Sequence, residues 1–541
     1  MKAILDFIIN QIKKYYQPSD KELERITLEP CKFKQHGDVT TNAFMILKSK
    51  LLDTEIQTIQ DDIEKTFPIQ NIEKVGPGFL NIKFHKSFWQ NKLLEDIAPE
   101  NIGQNQKILL EFLSANPTGP LHIGHARNAV LGDTLARILT TSGFDITKEY
   151  YINDAGNQID MLGRSLELRY KEQHGYKIKD DDFTEDMYIG EYLKDAAQTI
   201  DETPRDFKSC AVGKMMDMIQ SNLKKLNIEF DVLTSERKLV EDGAVDKAFE
   251  TLKKSGDVKE GMLEKPKDFQ GEWNPRKQWI FESKNYGDDQ NRAMKKADGT
   301  WTYFASDVAY HYDKYQRGFE KMINIFGADH IGYIKRLKAA VKALSNGKAD
   351  LNILVCQLVN FMKNGEPLKM SKRKNTFVTM AEVIDEIGAD ALRFLLLMRN
   401  ANMSYDFDLE KAVEQTKDNP IFYVQYATAR IGSLMRRYKG EYDKDTVALL
   451  EDEDEISLIQ VLQDFPRALR LACVHYEPHR LANYAYQLAS DFHSLWSKKD
   501  YRFIVEDNAP LSSARMYLAR YVLNVLTQTL DILGVSAPLE M

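Results

Sequence analysis

The stretch that decides the fold of this chain is ILLEFLSANPTGPLHIGHARNAVLGDTLARILT, residues 108–140. It begins with a nearly continuous apolar run at 108–113, typical of a strand covered on both faces in a parallel sheet. A Pro/Gly loop at 116–120 follows, and apolar residues at helical spacing continue to a stop at Gly143. Residues 146–152 supply the next strand. This order of strand, Pro/Gly loop, helix and strand is that of a nucleotide-binding βαβ unit.

The sequence on either side of this unit divides into regions of different pattern. Residues 1–100 carry helical patterns and then a turn and a strand, which predicts a small α+β domain. Residues 101–408 are predicted to form the α/β domain, with a charge-rich, mostly helical insertion at about 160–300. From 409 to 541 the pattern is helical. The predicted class is therefore α/β: a Rossmann-like parallel-sheet domain with insertions, a small α+β N-terminal domain and an all-helical C-terminal domain.

Shorter patterns make local predictions. Alternation at 79–84 predicts a strand with Leu80, Ile82 and Phe84 on one face. Apolar residues at 353–362 predict a further strand. Asn364-Gly365 then predicts a tight turn, and the pair Thr379 and Glu382 predicts a capping box for a helix that ends near Gly388.

Composition excludes several classes of protein. The chain has 541 residues, 43% of them hydrophobic and 28% charged, and a net charge of −8, which is typical of a globular protein and not of a disordered one. No stretch is apolar for the roughly 18 residues that a membrane span needs. The four cysteines are too widely spaced for a zinc site. We therefore expect a cytoplasmic protein without zinc, without a membrane contact and with an amphipathic first helix in place of a leader.

The first motif with chemical meaning is His122-Ile123-Gly124-His125, where the loop opens a helix. Two histidines three residues apart at a helix N-terminus face the same way, and the helix dipole and free backbone N–H groups favour an anion there. Gly124 lets a charged or planar group approach the backbone. The position after a buried strand predicts a phosphate-binding role for this motif.

The second motif is Lys369-Met370-Ser371-Lys372, between the predicted tight turn and the capped helix. Two lysines on a short loop suit a triphosphate, because negative charge grows on the pyrophosphate as the α-phosphorus is attacked. Either motif alone is weak evidence; together they predict an ATP site.

Together these residues resemble the two ATP-binding motifs of class I aminoacyl-tRNA synthetases. Longer stretches are similar to the bacterial type of the arginyl-tRNA synthetase family, and this resemblance spans essentially the whole chain. The matching stretches are 111–125, Tyr151-Ile152-Asn153-Asp154-Ala155-Gly156-Asn157-Gln158-Ile159, 303–307, 327–330, 419–426, Gly37-Asp38 with Thr41-Asn42, and 533–538.

The resemblance implies a ligase that joins L-arginine to its tRNA through arginyl-adenylate. Arginine presents a fork of five donors, so its pocket needs carboxylates and planar acceptors. By similarity, Asp307 and Tyr303 would take the guanidinium, whereas Glu111 and Asn116 would hold the α-amino group. Without the family match, Asp307 would be a helix-cap aspartate. The candidate arginine-binding residues are Glu111, Ser114, Asn116, Tyr303, Asp307, Asp154 and Gln158.

The same resemblance implies the ATP residues. His122, Gly124 and His125 would contact the phosphates, and Lys369 and Lys372 would steady the leaving pyrophosphate. Met370 and Ser371 would shape the loop, and Asp329 and His330 would line the pocket or the ATP site. His122, His125, Lys369 and Lys372 are the candidate catalytic residues. The expected substrate complex is ATP with Mg²⁺, and no organic prosthetic group is expected.

For tRNA, the resemblance implies two further surfaces. The N-terminal domain would approach the tRNA elbow, with Asn81 and Phe84 as contacts. The helical domain would bind the anticodon through aromatic faces and positive charges. Its candidate residues are Tyr423, Tyr426, Arg430, Arg436 and Arg437; aromatic residues at helical spacing are also typical of a core. The family expectation is a monomer.

Two details bear on the resemblance. Family members that lack the lysine motif carry a lysine three residues before the first histidine; here that residue is Gly119 and the lysine motif is complete. After Lys372 the family often has Arg-Ala-Gly-Asn, whereas this chain has Arg373-Lys374-Asn375-Thr376. The missing glycine restricts the loop dihedrals, which bears on the reaction rate.

Two other functions fit parts of the pattern. A small-molecule nucleotidyltransferase can share the HxGH motif, but such enzymes are usually one compact domain, and the helical C-terminal region argues against it. A catalytically silent tRNA-binding paralogue would not need both ATP motifs intact.

Overall fold

The computed structural model describes residues 1–265, 276–368 and 378–541. Its central element is a five-stranded parallel sheet. From edge to edge the strands are Asp350–Cys356, Lys321–Gly327, Lys107–Glu111, Asp145–Ile152 and Val232–Ser235. The apolar residues Ile108, Leu109 and Leu110 of the middle strand are at most 1% exposed. This burial confirms the prediction of a strand covered on both faces.

The predicted βαβ unit is confirmed. The strand Lys107–Glu111 leads into the helix Ala126–Thr141, which packs on the sheet and returns the chain to the parallel neighbour Asp145–Ile152. On its other side the middle strand pairs with Lys321–Gly327. The order of strands along the chain therefore reverses at Lys107–Glu111, and parallel sheets bind ligands in the crevice at such a point.

The N-terminal region forms its own antiparallel sheet of four strands. Along the sheet they are Leu28–Pro30, Val39–Thr41, Phe79–Phe84 and Ile69–Val75, and the helices Lys2–Ile12 and Asp53–Thr66 complete the domain. The first helix buries Ile4, Ile8 and Ile12, which confirms the predicted amphipathic helix. Leu80, Ile82 and Phe84 are buried and alternate with partly exposed residues, as predicted. Short helices lie at Asp20–Leu23, Ala43–Ile46 and Lys86–Lys92.

The region predicted as a mostly helical insertion contains more strand than its pattern indicates. Its helices are Asn157–Gln173, Glu191–Gln198, Phe207–Lys225, Glu236–Glu241 and Ala244–Lys254. The strand Val232–Ser235 joins the edge of the parallel sheet, and Val258–Gly261, Gln278–Phe281 and Arg292–Lys295 form a separate antiparallel sheet. These strands have four residues each, too short for alternation to identify them; they are defined by partners distant in the chain. The helix Tyr303–Gln316 follows.

The single strand predicted at 353–362 is two strands in two sheets. Asp350–Cys356 belongs to the parallel sheet, whereas Val359–Lys363 pairs with Glu366–Pro367 and Tyr405–Asp408. The chain turns away at Gln357, whose N–H donates to the carbonyl of Ala401 (N···O 2.9 Å). An apolar run does not reveal such a break, because apolar residues occur on both sides of it.

Two local predictions in this region are confirmed. Asn364 and Gly365 have φ values of 53° and 75°, as a tight two-residue turn between antiparallel strands requires. Thr379 and Glu382 form the capping box of the helix Met380–Ile387, and Gly388 follows that helix. The helix Ala389–Leu397 comes next, and Ile334–Leu344 packs on the edge strand of the parallel sheet.

From residue 409 the chain is helical, as predicted. The helices are Leu409–Ala412, Pro420–Arg437, Glu453–Gln463, Phe465–His475, His479–Ser497 and Ala509–Leu533. The N-terminal domain contacts this bundle through Asp38, whose carboxylate accepts hydrogen bonds from Trp89 Nε1 (2.9 Å) and Gln460 Nε2 (3.0 Å). The first and last domains of the chain therefore lie side by side.

Buried Arg393 joins the helical bundle to the parallel-sheet domain. Its guanidinium donates to Asp133 (2.8 Å) on the helix Ala126–Thr141 and to the carbonyl of Leu533 (2.9 Å) at the end of the last helix. Both side chains of the Arg393–Asp133 pair are at most 1% exposed. Buried charges are tolerated where they are paired, so this link is specific to the observed docking of the two domains.

Across the described residues, no helix is long and apolar enough to span a membrane.

Candidate active site

The HxGH motif lies beyond the carboxyl end of the middle strand. His122 precedes a 3₁₀ turn, Ile123–His125, that leads into the helix Ala126–Thr141. The two histidine rings stack with centroids 3.7 Å apart and planes at 28°. The prediction that they face the same way is confirmed. They form a pair of imidazoles at a helix N-terminus, where backbone N–H groups favour an anion.

The chain that follows the lysine motif returns beside these histidines. Met380 N–H donates to the carbonyl of Leu121 (2.8 Å), Ile123 N–H donates to that of Val378 (3.2 Å), and His122 forms a backbone bridge with Thr379. The predicted lysine motif at 369–372 and the departure at 373–376 lie outside the described residues. The described chain resumes at Val378, next to the HxGH motif.

Asp329 and His330 lie at the same edge of the sheet. They follow the strand Lys321–Gly327 in a short 3₁₀ segment, Ala328–Tyr333. Both are exposed, and His330 Nε2 lies 3.5 Å from the carboxylate of Asp329. Their exposure leaves them accessible to a ligand in the crevice.

Glu111, at the end of the middle strand, has both carboxylate oxygens engaged. Ser114 Oγ donates to Oε1 (3.1 Å) and Lys314 Nζ donates to Oε2 (2.6 Å). Burial alone would raise the pKa of Glu111, but Lys314, His311 and the hydrogen bond from Ser114 together hold that pKa below its ordinary value. Glu111 is therefore an ionised, fixed acceptor. Lys314, which holds it, was not predicted.

Asn116 and Gln158 meet in a cluster of side-chain amides. Asn116 Nδ2 donates to Gln158 Oε1 (3.1 Å), and Asn153 Nδ2 donates to Asn116 Oδ1 (3.1 Å). The structure thus brings together two predicted arginine-binding residues and adds Asn153, which belongs to a matching stretch but had no predicted role. These hydrogen bonds fix the orientation of the side-chain amides, so their remaining donors and acceptors have defined positions for a polar ligand.

Asp307 lies in an acidic pocket. Burial, followed by the negative charges of Glu236 and Glu111, raises its pKa from 3.8 to about 7. The pKa of Glu236 is also raised, by burial and then by Asp154. Carboxylates that repel one another in a desolvated site favour a bound cation. Tyr303 begins the same helix one turn before Asp307 and is 85% exposed.

Sequence reasoning missed Glu236. It begins a helix directly after the strand Val232–Ser235, and a carboxylate at the carboxyl end of a parallel strand would have indicated a site. That strand is too short to be predicted. Asp154, predicted to bind arginine, accepts hydrogen bonds from Ser235 Oγ (2.7 Å) and Arg237 N–H (2.9 Å). Its carboxylate therefore holds the start of the helix that carries Glu236.

A series of hydrogen bonds between buried polar side chains lies next to the pocket. His311 Nδ1 lies 2.7 Å from the carbonyl of Asp307, Asn324 Nδ2 lies 3.0 Å from His311 Nε2, and Lys314 Nζ donates to Asn324 Oδ1 (3.2 Å). Burial, aided by Lys314, lowers the pKa of His311 to about 4. The imidazole of His311 is neutral at pH 7, and its protonated Nδ1 donates to the backbone carbonyl of Asp307. None of these three residues was predicted.

The N-terminal candidates for tRNA binding differ in accessibility. Asn81 is half-buried on the strand Phe79–Phe84. The prediction for Phe84 is wrong, because its side chain is 2% exposed and stacks on Phe88 with centroids 4.1 Å apart. A ring enclosed in the core has no free face for a base.

The candidates in the helical bundle form two groups. The guanidinium of Arg430 lies 4.2 Å from the ring centroid of Tyr426 and 2.9 Å from His493 Nδ1. The Tyr423 ring packs against that of His493, with centroids 4.3 Å apart. Tyr426 is 36% exposed and keeps an accessible edge. The second group is Arg436, which donates to the carbonyl of Leu539 (3.1 Å), and exposed Arg437.

In the three described segments, no group of three or more His, Cys, Asp or Glu side chains is arranged to hold a metal ion.

Comparison with known proteins accounts for the whole chain. Residues 2–84 match the family model "Arginyl tRNA synthetase N terminal domain", residues 89–438 match "tRNA synthetases class I (R), catalytic domain", and residues 424–541 match "DALR anticodon binding domain". The chain is 42% identical to the arginine–tRNA ligase of Roseobacter denitrificans, covering 100% of this chain and 99% of that protein. It is 43% identical to that of Brucella canis, covering 96% and 95%.

Among solved structures, arginyl-tRNA synthetase from Thermus thermophilus shares the fold with a TM-score of 0.77 at 21% identity, over 100% of both chains. The predicted fold class is confirmed: a parallel-sheet domain, a small N-terminal domain and a helical C-terminal domain. The predicted family is confirmed as well. The chain belongs to the arginyl-tRNA synthetase family of class I aminoacyl-tRNA synthetases.

Proposed function

We propose that this protein attaches L-arginine to its cognate tRNA in an ATP-dependent reaction. Family membership supports the reaction class. The observation that carries the choice of amino acid is the acidic pocket, in which burial and Glu236 raise the pKa of Asp307, while burial and Asp154 raise the pKa of Glu236. A guanidinium carries a positive charge and five N–H donors, so it can form charge-assisted hydrogen bonds with these carboxylates.

In this proposal the arginine substrate lies across the end of the middle strand. Asp307 and Glu236 take the guanidinium, and Tyr303 covers it from the start of the helix. Glu111, Ser114 and Asn116 hold the α-amino end, where the carboxylate of Glu111 is already ionised and fixed by Lys314 (2.6 Å). Gln158 orients Asn116 by a side-chain hydrogen bond. Asp154 fixes the position of Glu236 by accepting a hydrogen bond from the neighbouring Arg237 N–H at the start of the helix.

ATP lies beside the arginine in the crevice, accompanied by Mg²⁺ as part of the substrate. His122, Gly124 and His125 contact the phosphates at the helix N-terminus, and Asp329 and His330 line the same site. The lysine motif of Lys369, Met370, Ser371 and Lys372 supplies positive charge to the leaving pyrophosphate. The backbone bonds from Leu121 and Ile123 to residues 378–380 support this arrangement.

The reaction needs no protein nucleophile. A carboxylate oxygen of arginine attacks the α-phosphorus of ATP, a P–O bond forms, and pyrophosphate leaves with the electron pair of the broken bond. A ribose hydroxyl of the tRNA terminal adenosine then attacks the arginyl carbonyl, loses its proton and displaces AMP. Rate acceleration comes from positioning and from stabilisation of the developing charge.

The tRNA contacts at least two domains in this proposal. It contacts Asn81 on the N-terminal sheet and Tyr426, Arg430 and Arg437 on the helical bundle. Tyr423 packs against His493, and Arg436, which is also exposed, donates to the carbonyl of Leu539 near the C-terminus. The family relationship supports action as a monomer in the cytoplasm.

Arginine-dependent exchange of pyrophosphate into ATP tests the function. We expect exchange with arginine, but not with a panel of other amino acids, and only in the presence of arginine-accepting tRNA. Exchange without tRNA would retain the ligase and contradict the coupling. Absence of exchange with every amino acid would favour a silent tRNA-binding protein.

A lysine variant separates chemistry from tRNA binding. Lys372→Ala is expected to lower adenylate formation while tRNA affinity changes little. Lys348→Ala, at an exposed site outside the crevice, is the matched control for loss of one positive charge. Equal losses of adenylate formation and tRNA affinity in Lys372→Ala would contradict the proposed role of the motif.

A further inference from the structure

The chain makes a strained turn directly after the middle strand. Leu113 and Ser114 have φ values of 70° and 38°, in the left-handed region that residues other than glycine rarely adopt. Ser114 N–H donates to the carbonyl of Phe112 (2.9 Å), two residues earlier. This bond closes a γ-turn with Leu113 at its centre, a conformation that is rare because of its strain.

This turn shapes the arginine end of the site. Because the chain reverses at Leu113, Ser114 Oγ reaches back to Glu111 (3.1 Å) and also accepts a hydrogen bond from Tyr151 N–H (3.1 Å). An extended backbone at Leu113 would carry Ser114 away from Glu111. The relative positions of Glu111 and Ser114 therefore depend on the left-handed conformation.

The side chain of Asn128 holds the turn. Asn128 Oδ1 accepts a hydrogen bond from Leu113 N–H (2.7 Å), and its Nδ2 donates to the carbonyl of Ile325 (3.2 Å). Asn128 lies three residues after His125 on the helix Ala126–Thr141. One amide thus joins the strained turn, the helix of the HxGH motif and the strand that leads to Asp329.

The close approach of this helix depends on a glycine. A Cβ atom at Gly132 would lie 2.1 Å from the ring of Phe112, so a larger residue would push the helix away from the turn. Gly132 is one helical turn after Asn128, and the two residues face the same loop. The helix is built to bring one side-chain amide within reach of the backbone at Leu113.

We infer that Asn128 is a positioning residue for arginine, acting by holding the left-handed turn at Leu113 and Ser114. Strained conformations persist only where surrounding contacts determine them. Without the acceptor, Leu113 N–H loses its partner and the turn relaxes, so Ser114 and Asn116 no longer face the substrate. This inference rests on the proposed function and adds a residue to it.

A double-mutant cycle tests the inference. Asn128→Ala and Leu113→Gly are made singly and together, and arginine charging of tRNA is measured for each. Glycine adopts positive φ without the steric cost that leucine carries. Asn128→Ala alone is expected to raise KM for arginine by about tenfold, as for loss of a part-buried hydrogen-bond partner, with KM for ATP nearly unchanged. In the Leu113→Gly background, Asn128→Ala is expected to raise KM for arginine by less than about threefold. The effects of substitutions at two residues in contact do not add when both act on the same turn.

Asn42→Ala is the matched control. Asn42 Oδ1 accepts from Thr27 N–H (2.8 Å) and its Nδ2 donates to the carbonyl of Arg25 (3.0 Å), the same pair of bonds in the N-terminal domain. Asn42→Ala is expected to lower the melting temperature with KM for arginine unchanged. A general loss of stability therefore does not reproduce the expected kinetic effect.

Two results would overturn the inference alone: an unchanged KM for arginine in Asn128→Ala, or equal increases in the Leu113 and Leu113→Gly backgrounds. Failure of the unsubstituted protein to charge arginine is a separate result, and it would overturn the proposed function together with the inference.

Discussion

Lys314 Nζ lies 2.6 Å from the carboxylate of Glu111, and both side chains are buried. The two residues come from the pocket helix Tyr303–Gln316 and from the middle strand of the sheet. The proposed arginine site, which must hold a cation, thus contains a buried lysine of its own. The pair divides the site into a neutralised end at Glu111 and an acidic end at Asp307 and Glu236.

Removal of Lys314 should destabilise the protein strongly. Lys314→Met leaves Glu111 buried without its counter-charge, which costs about 3–5 kcal/mol in the free energy of unfolding. Chemical denaturation of the ligand-free protein measures this loss. In Lys314→Met/Glu111→Gln most of the stability should return, because neither charge remains, while arginine use stays impaired.

Lys225→Met is the control for the loss of an ion pair at the surface. Lys225 pairs with Asp385 at 2.7 Å, and the two side chains are 40% and 64% exposed. Its loss should cost less than about 1 kcal/mol. A Lys314→Met variant no less stable than Lys225→Met would show that the buried pair contributes nothing.

Asp307→Asn should weaken the use of arginine. Loss of a charged partner of the guanidinium costs about 2–3 kcal/mol, which predicts an increase of at least tenfold in KM for arginine with KM for ATP unchanged. Steady-state aminoacylation measures both constants. Asp313→Asn on the same helix, where Asp313 pairs with Arg317 at 2.9 Å, is the control. Unchanged kinetics in Asp307→Asn would remove Asp307 from the pocket.

Arginine binding should weaken as the pH falls below 7. In the free pocket the pKa of Asp307 is about 7, through burial and through Glu236 and Glu111, partly offset by Arg336 and Lys314. Below that pH Asp307 must lose a proton to pair with the guanidinium, so KM for arginine should rise by up to about tenfold per pH unit. Kinetics from pH 6 to pH 8.5 measure this slope. The same slope in Asp307→Asn would assign the titration to another group.

The same carboxyl should make ligand-free stability depend on pH. Because burial raises the pKa of Asp307 from 3.8 to about 7, its stabilising effect is complete below pH 3.8 and is lost as the pH rises through 7. Asp307→Asn does not lose stability in this way. The melting temperature of the variant minus that of the unsubstituted protein should therefore increase from pH 5 to pH 8. A constant difference over this range would contradict the raised pKa.

Thr379→Ala should impair adenylate formation more than folding. Thr379 Oγ1 accepts from Glu382 N–H (3.1 Å) and begins the helix that follows the lysine motif. Loss of the cap costs about 1 kcal/mol, and the helix start beside His122 loosens. Single-turnover adenylate formation and chemical denaturation measure the two effects. Asn508→Ala, which removes the cap of the last helix at Leu511 N–H (3.0 Å), should cost similar stability without the kinetic effect.

Local chemistry is what made parts of the fold predictable. The turn at Asn364-Gly365 and the capping box of Thr379 and Glu382 are confirmed because each depends on residues only a few positions apart. Alternation at 79–84 places Phe84 on the core face with Leu80 and Ile82. The structure follows that alternation, and not the predicted tRNA contact of Phe84.

The parts that sequence reasoning missed depend on partners distant in the chain. Val232–Ser235 is a strand only because Asp145–Ile152 lies beside it, and Glu236 enters the pocket only because that strand places it there. In the sequence, Lys314 is one more charged residue on a predicted helix. Its partner Glu111 lies 203 positions away, and only the fold brings the two together.

The sequence by itself determined the fold class, the family and the HxGH motif at the end of a buried strand, because hydrophobic periodicity and motif spacing are written along the chain. Only the tertiary structure decided which groups distant in the chain meet: the charges of Glu111 and Lys314, the carboxylates of Asp307 and Glu236, and the Leu113 N–H with the Asn128 amide. The physical reason is that burial changes the strength of a charge or a hydrogen bond, and burial is a property of the packed chain.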